Sequence, residues 1–441
     1  MKIYKKNVKT IGLSLIIGML LGTTLNFAIN PATTFYVSSG SYPTKSTYVI
    51  FGDGVNYYAK DRFGKIVINS NSNASYTINA ILNSLSGNDK TEVVLSGIFH
   101  IDTPLHITKS NTQLEVDASI YLNNNVNDAM LLIFSDTHID EIKITGGYWE
   151  ANRANNSFGG GFYFSNCRNV WITNVIIRES KEFAIYIDTP TSWGFEIYNN
   201  VFTDGDKSGI ICNDLENSNI HDNRFGDFAY DTIQLINCEW MWINNNQLEA
   251  TLTANSALNL NSANYRITIM GNIITNANYS IKVNNSRFNI ISNNMIFSPT
   301  IDGIRIYSNS AYNLITSNYI QDAVYGIHEV DTSDYNNCTA NYYKDCTHKA
   351  YLIGSHSFQD RLYFLCGGKV SAVDETWVEY YSKLGRSITS EDAVILTTPN
   401  YNVIASLNNY NSTHFKVGLW NAETKTGVTT PLNLNWVIYD N

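Results

Sequence analysis

The 441 residues predict an all-β solenoid, and three observations carry the prediction. The first is a column of asparagines, Asn174, Asn200, Asn223, Asn246, Asn272, Asn294, Asn318 and Asn341, separated by 22 to 26 residues. The second is the large apolar or aromatic residue two positions after each asparagine: Ile176, Phe202, Phe225, Leu248, Ile274, Ile296, Ile320 or Tyr343. The third is alternation. Phe195–Phe202, Ile267–Ile274 and Ile290–Ile296 set β-branched and aromatic residues between polar ones, the period-2 signature of a strand. A period in the twenties means units that bury their apolar faces only by stacking on one another.

About 23 residues per unit hold two or three short strands and their turns. Equivalent strands of successive coils must then pair in parallel, roughly 4.8 Å apart. Each asparagine amide is placed to bond the next in a column that satisfies turn backbone. No catalytic role is expected for that column.

These coils and the N-x-[IFL] turn resemble the right-handed parallel β-helix of the pectate lyase and polygalacturonase superfamily, over roughly residues 111–354. The resemblance implies a right-handed parallel β-helix with a helical N-terminal cap. It also implies an extracellular polysaccharide, cleaved or bound, as substrate or ligand. The scaffold hosts lyases, hydrolases, epimerases, tailspikes and non-catalytic surface proteins, so fold alone does not choose among them.

Along the chain, residues 1–30 pair a basic start (Lys2, Lys5, Lys6, Lys9) with the apolar run Ile11–Leu21, the pattern of a signal peptide or uncleaved signal anchor. That places the protein outside the cytoplasm, secreted or held at the cell surface by a membrane tether. Residues 31–110 form a capping region, with a short amphipathic helix at Ala74–Ser86 and a strand-rich Val93–Ile107 that resembles the opening of secreted β-helices. Residues 111–366 form the helix proper. After Gly367-Gly368, residues 367–441 carry strands at Ala393–Thr397, Val403–Leu407, His414–Trp420 and Leu432–Tyr439, read as a small antiparallel β-sandwich. This last module loosely resembles lectin-like or assembly domains of tailspikes and adhesins, which implies glycan binding or a homo-oligomer, such as a trimer.

Composition narrows the partners. Charged residues are only 15% and the net charge is −10, which argues against nucleic acid, since phosphate binding needs clustered Lys and Arg. The six cysteines lack metal-site spacing; Cys338 and Cys346 are the pair best placed for a disulfide, with buried free thiols as the alternative.

Four positions after a ladder asparagine stand Asp204, Asp227, Asp322 and Asp345. With Asp206 and Asp231, and with Glu179 and Glu182 at the edge, Asp204 and Asp227 make the densest acidic patch on the helix. Three readings are open. Paired carboxylates run glycoside hydrolysis as general acid and nucleophile or base. Asp204 and Asp227 with turn carbonyls hold calcium, which grips a uronate for β-elimination with Arg178, Lys207 or Arg224 as base. Or the aspartates simply satisfy turn amides.

Polygalacturonases carry N-x-D, D-D, G-H-G and R-I-K on successive coils. Here Thr203–Ile210 (TDGDKSGI) echoes the acidic part, and Gly303–Tyr307 (GIRIY) matches R-I-K only at Arg305. For the sugar itself, Trp149 and Trp193 near turns are platform candidates, and Arg153 and Arg178 suit acidic sugars. The competing function is a non-catalytic adhesin that uses the solenoid as a spacer.

Overall fold

The computed structural model describes residues 47–188, 192–251 and 254–359, and beyond them the backbone of six strands between residues 363 and 440. The predicted signal segment, residues 1–30, lies outside the described residues.

The described chain opens with an antiparallel meander, β1 (Tyr48–Asp53), β2 (Tyr57–Asp61) and β3 (Ile66–Asn71). Helix α1 (Ala74–Ser84) comes next. Asn73 caps it, its side chain accepting from the Tyr76 amide at 2.7 Å. Ile78, Ile81 and Leu82 are buried on its inner face. Asn79 pins the helix to the first coil, donating to the Pro104 carbonyl at 2.9 Å and accepting from the His106 amide at 2.8 Å. Strand β4 (Thr91–Ile101) pairs with β1 in parallel and begins the solenoid.

About 11 turns succeed it, built from three columns of parallel strands. Sheet I includes Phe183–Asp188, Ser208–Asn213, Ile233–Ile236, Ser256–Asn261, Tyr279–Asn284, Asp302–Tyr307, Tyr325–Glu329 and His348–Tyr351. Sheet II includes Trp193–Tyr198, Glu216–His221 and Glu239–Asn244. Sheet III includes Ile176–Arg178, Val201–Gly205 and Arg224–Phe228. Inward residues stack by kind: Ile177, Phe202, Phe225, Leu248, Ile274, Ile296 and Ile320 are all fully buried in one file. Each such side chain contributes roughly 1.5–3 kcal/mol by leaving water.

The asparagine ladder stands at the corner between sheets II and III. From Asn200 to Asn318, each amide nitrogen and its backbone N–H donate to Oδ1 of the next asparagine, at 2.9–3.1 Å. The ladder begins at Asn200, not at Asn174. Asn174 is exposed with φ +57°, and Val175 takes the inner slot, its N–H donating to Asn200 Oδ1 at 2.9 Å. The residue before each ladder asparagine turns the corner in the left-handed region, as Asn199, Asp222, Asn245, Gly271 and Asn293 do.

A second ladder, which the sequence pattern did not predict, lines the corner between sheets I and II. The Asn289 N–H and amide donate to Asn313 Oδ1 at 3.0 and 2.9 Å, and Asn313 does the same to Asn336 at 3.1 and 2.9 Å. It ends on Glu329, fully buried, whose oxygens accept from Asn336, Ser357 and the amides of Ile353 and Gly354.

The expected Cys338–Cys346 disulfide is not formed. Cys167, Cys212, Cys238, Cys338 and Cys346 are free thiols. The first four are buried among apolar neighbours, and burial pushes the Cys167 and Cys238 thiols up to about 12. The C-terminal strands form two three-stranded antiparallel sheets, Tyr363–Ala372 with Leu432–Asp440 and Asp392–Thr397, and Thr376–Glu379 with His414–Asn421 and Val403–Tyr410. The first of these strands runs through Gly367-Gly368.

Candidate functional site

The outward positions of sheet I carry the chemistry. Strands from Ser256 to Tyr351 turn Leu258, Ile281, Ile304 and Ile327 inward, so the residue after each points out. In register these outward residues are Asn259, Lys282, Arg305, His328 and Tyr351. A second row at the strand starts is Ser256, Tyr279, Asp302, Tyr325 and His348. Parallel pairing without register shift brings the two rows into one strip.

Lys282 and Arg305 share a tyrosine cradle. The Lys282 ammonium lies 5.4 Å from the Tyr279 ring and 5.5 Å from the Tyr307 ring, and the Arg305 guanidinium 5.0 and 6.0 Å from the same rings. Arg305 donates to the Tyr279 hydroxyl at 3.2 Å and to Asp302 Oδ2 at 3.4 Å. Asp302 is fully buried; its Oδ2 also faces His328 Nδ1 at 3.2 Å, while Oδ1 has no partner. The His328 ring lies on Tyr325, centroids 4.0 Å apart. At the strip's other end the carboxylate of Asp231, also fully buried, accepts from Asn255, Ser256 and Asn259.

Burial sets the electrostatics. It raises the Asp302 carboxyl above the usual range, against the pull of His328 and Arg305. It lowers Lys282, with Asp231 opposing and Arg305 adding to the drop. It raises the Tyr307 phenol, helped by the Asp231 charge. Perturbed groups gathered on one half-exposed face mark a functional candidate.

Of the residues singled out from sequence, Arg305 and Asp231 belong to this strip. Arg153, Arg178, Glu179, Glu182, Asp204, Asp206 and Lys207 lie around the corner between sheets III and I, in an ion-pair network. Arg178 donates to Asp204 at 2.8 and 2.9 Å; Arg153 meets Glu179 at 2.7 Å and Asp206 at 3.3 Å; Lys181 meets Asp206 at 2.6 Å, and Lys207 meets Glu182 at 2.7 Å. Asp227 is exposed on the same corner. The recurrence of aspartate there has a backbone cause: Asp204, Asp227, Asp322 and Asp345 have φ between +54° and +61°, where Asp and Asn are best tolerated after glycine.

Calcium at Asp204 and Asp227 finds no ligand set. Among the described residues no three His, Cys, Asp or Glu side chains gather to hold a metal, and Asp204 is engaged by Arg178. Trp149 is not a platform: it is fully buried, edge-on to Phe162, with Nε1 donating to the Gly146 carbonyl at 3.2 Å. Its place in the alternation faces it inward. Trp193 is 39% exposed on sheet II, with the Arg168 guanidinium 5.8 Å from its ring.

Lys282, Asp302, His328, Tyr279 and Tyr307 were missed. The signal was present: Asn259, Lys282, Arg305, His328 and Tyr351 are spaced by 23 residues throughout, as are Ser256, Tyr279, Asp302, Tyr325 and His348.

Two family models match overlapping spans. The right-handed β-helix region matches residues 97–256, and the periplasmic copper-binding protein family NosD matches residues 231–360, the span that holds the strip. Among the described residues no three His, Cys, Asp or Glu side chains gather to hold the copper of that description; Cys238 and Cys338 are core residues and His328 is turned to Asp302. No curated protein matches the chain in sequence.

Solved structures do match. A mannuronan C-5 epimerase A-module of Azotobacter vinelandii is 16% identical, with TM-score 0.52 over 66% of this chain and 96% of its own. An exopolygalacturonase of Thermotoga maritima is 13% identical, with TM-score 0.51 over 62% and 83%. An endo-xylogalacturonan hydrolase of Aspergillus tubingensis is 9% identical, with TM-score 0.52 over 70% and 99%. At these identities they speak for the fold. With the stacked coils, the ladders and both family matches, they make the chain a member of the right-handed parallel β-helix superfamily.

Proposed function

We propose that the protein acts on an acidic polysaccharide, binding a uronate unit on the outer strip of sheet I and moving a proton at the carbon beside its carboxylate. The observation that carries this reading is the pairing of Lys282 and Arg305 over tyrosine rings, with both nearby carboxylates, Asp231 and Asp302, drawn below the surface. Such a face attracts an anionic sugar and offers it no exposed carboxylate pair. Hydrolysis by two carboxylates is therefore disfavoured, because neither acid is presented to a sugar ring.

The residues divide the work. Arg305 and Lys282 hold the uronate carboxylate and stabilise the negative charge that spreads onto it when the adjacent C–H proton leaves. Asp302 can only accept when ionised, so His328 donates through Nδ1 and presents Nε2 as a base. The C–H electron pair enters the enediolate. It then either expels the oxygen at the neighbouring carbon, giving an unsaturated uronate, or takes a proton back on the opposite face, giving the epimer. Tyr307, whose phenol is kept protonated, is the nearby acid for either ending. The matched structures include a mannuronan epimerase, an exopolygalacturonase and a xylogalacturonan hydrolase, enzymes of uronate polymers.

The location goes with this reading. The basic and apolar N-terminal segment supports export, and among the described residues no helix is long and apolar enough to cross a membrane.

The test is an assay of the full chain on mannuronan, galacturonan and neutral polymers. Ultraviolet absorbance of unsaturated uronate, reducing ends, and solvent tritium uptake at the carbon beside the carboxylate would be followed. Unsaturation or tritium uptake lost by about 100-fold or more in Arg305→Gln is the expected result. Reducing ends without unsaturation would overturn the proton-transfer reading. Binding without any product would leave the non-catalytic adhesin.

A further inference from the structure

The first coils carry a separate groove of about 530 Å³ on the outer face of sheet III, where the chain turns toward sheet I. His100, Tyr121 and Glu150 stand in register along its floor, and Asn123, Asn152 and Asn155 form its wall. His100 stacks on Tyr121 with centroids 5.3 Å apart, and Tyr121 leans on Tyr148 at 6.0 Å. The Tyr148 hydroxyl donates to Glu150 Oε2 at 2.7 Å, which fixes that carboxylate.

The wall is built, not loose. Asn152 sits in the left-handed region at φ +53°, its amide donating to the Leu122 carbonyl at 3.0 Å and to Asn124 Oδ1 at 2.9 Å. Asn155 donates to Asn152 Oδ1 at 2.8 Å. Beneath them the buried Asn156 amide reaches the carbonyls of Asn123 at 3.3 Å and Asn152 at 3.1 Å, and its Oδ1 accepts from the Asn127 amide at 3.0 Å. Among the described residues no lysine or arginine lines the groove. Arg178 stands in register with Glu150 on the next coil but is paired to Asp204, and Arg153 pairs with Glu179 and Asp206.

We propose that this groove is a second carbohydrate site, one that takes a neutral pyranose unit. Rings give the apolar face of the sugar a surface to cover. A fixed carboxylate and oriented amides accept from and donate to its hydroxyls, and binding needs little reordering of the wall. An acidic sugar is turned away, because Glu150 in the lining repels it and the arginine beside it, Arg178, is already paired to Asp204 outside the lining. The site does not depend on the strip of sheet I: its residues come from the opening coils, and its charge preference is the opposite one.

The test is calorimetric titration of the full chain with cellohexaose, maltohexaose, mannohexaose and galactohexaose, and separately with hexagalacturonate. One of the neutral hexasaccharides should bind, and hexagalacturonate should not displace it. Glu150→Gln and Tyr121→Ala should each weaken that binding by roughly tenfold or more, with thermal unfolding checked for both. Arg305→Gln should leave it unchanged while abolishing any response to hexagalacturonate. Absence of binding by all four neutral sugars would overturn the proposal. So would binding that survives both groove substitutions, or binding that is lost with Arg305→Gln. Failure of the strip reading shows only in the hexagalacturonate arm, so the two are separable.

Discussion

The corner network of the early coils and the sheet I strip of the late coils are both dense in charge, yet they are built on opposite terms. At the corner, Arg153, Arg178, Lys181 and Lys207 each meet a carboxylate within 3.3 Å, and those carboxylates are about a quarter or more exposed. Such pairs satisfy themselves and contribute little to stability, typically about 0–1 kcal/mol. In the strip, Lys282 rests on tyrosine rings with no carboxylate paired to it among the described residues, and Asp302 is fully buried with one oxygen unpartnered. Keeping underpaired charge in a half-dry face costs stability, and a fold retains that cost where a ligand or reaction uses it. Charge density is therefore a poor guide to a site, and unmet charge is a better one.

The largest effect expected from breaking this contrast is at His328. His328→Gln keeps a polar side chain of similar reach but removes the base, so turnover of a uronate polymer should fall by about 100-fold or more. Initial rates measure it, with thermal unfolding as the control for folding. A variant that keeps most of its rate would remove His328 from the reaction and leave the strip a binding face.

Asp302 gives a second, smaller effect, read in stability. Burial raises its carboxyl in the folded protein above the ordinary value of 3.8. A raised acid holds its proton more tightly when folded, so its contribution is full below the unfolded value and is lost as pH rises through the folded one. Asp302→Asn cannot ionise and lacks that loss. The difference in unfolding temperature should accordingly move in the variant's favour as pH is raised from about 4 to 7. A difference that stays flat across this range would mean that His328 and Arg305 fully compensate the buried charge, and the contrast with the corner would weaken.

How much of this was legible depends on the demand each column makes. The ladder needs the same residue in every coil, because only an asparagine amide both accepts and donates at that corner, and repetition of one letter is easy to see. The exception, Asn174, stands in register with Asn199, the left-handed turn residue one place before the ladder slot, and Val175 fills that slot. The second ladder's column reads Phe195, Ser218, Met241 and Ile267 before it settles on Asn289, Asn313 and Asn336, so the repetition is short and hidden. The strip was hidden more deeply. A site needs different chemistry at equivalent positions, so Asn259, Lys282, Arg305 and His328 keep their spacing and change their letter. The aspartates, by contrast, repeat at left-handed corner positions, and in the sequence a turn role and a chemical role stood open side by side.

That last point makes the smallest prediction the sharpest one. Asp227 is exposed, with φ +60° at a corner where other coils place Asn276 and Ser298. If conformation selects it, Asp227→Asn should change stability by no more than about 0.5 kcal/mol and leave turnover untouched, because asparagine accepts the left-handed region at least as well. Asp227→Ala should cost more, about 1 kcal/mol, because alanine has no side chain to bond locally and meets the full steric penalty. The order in denaturant titrations, asparagine equal to aspartate and both above alanine, is the signature of a corner residue. A general acid, a nucleophile or a metal ligand would give the reverse in kinetics, with the asparagine variant as inactive as the alanine one. Loss of turnover in Asp227→Asn with unfolding unchanged would return the reacting centre to the corner and leave the strip of sheet I to hold the polymer.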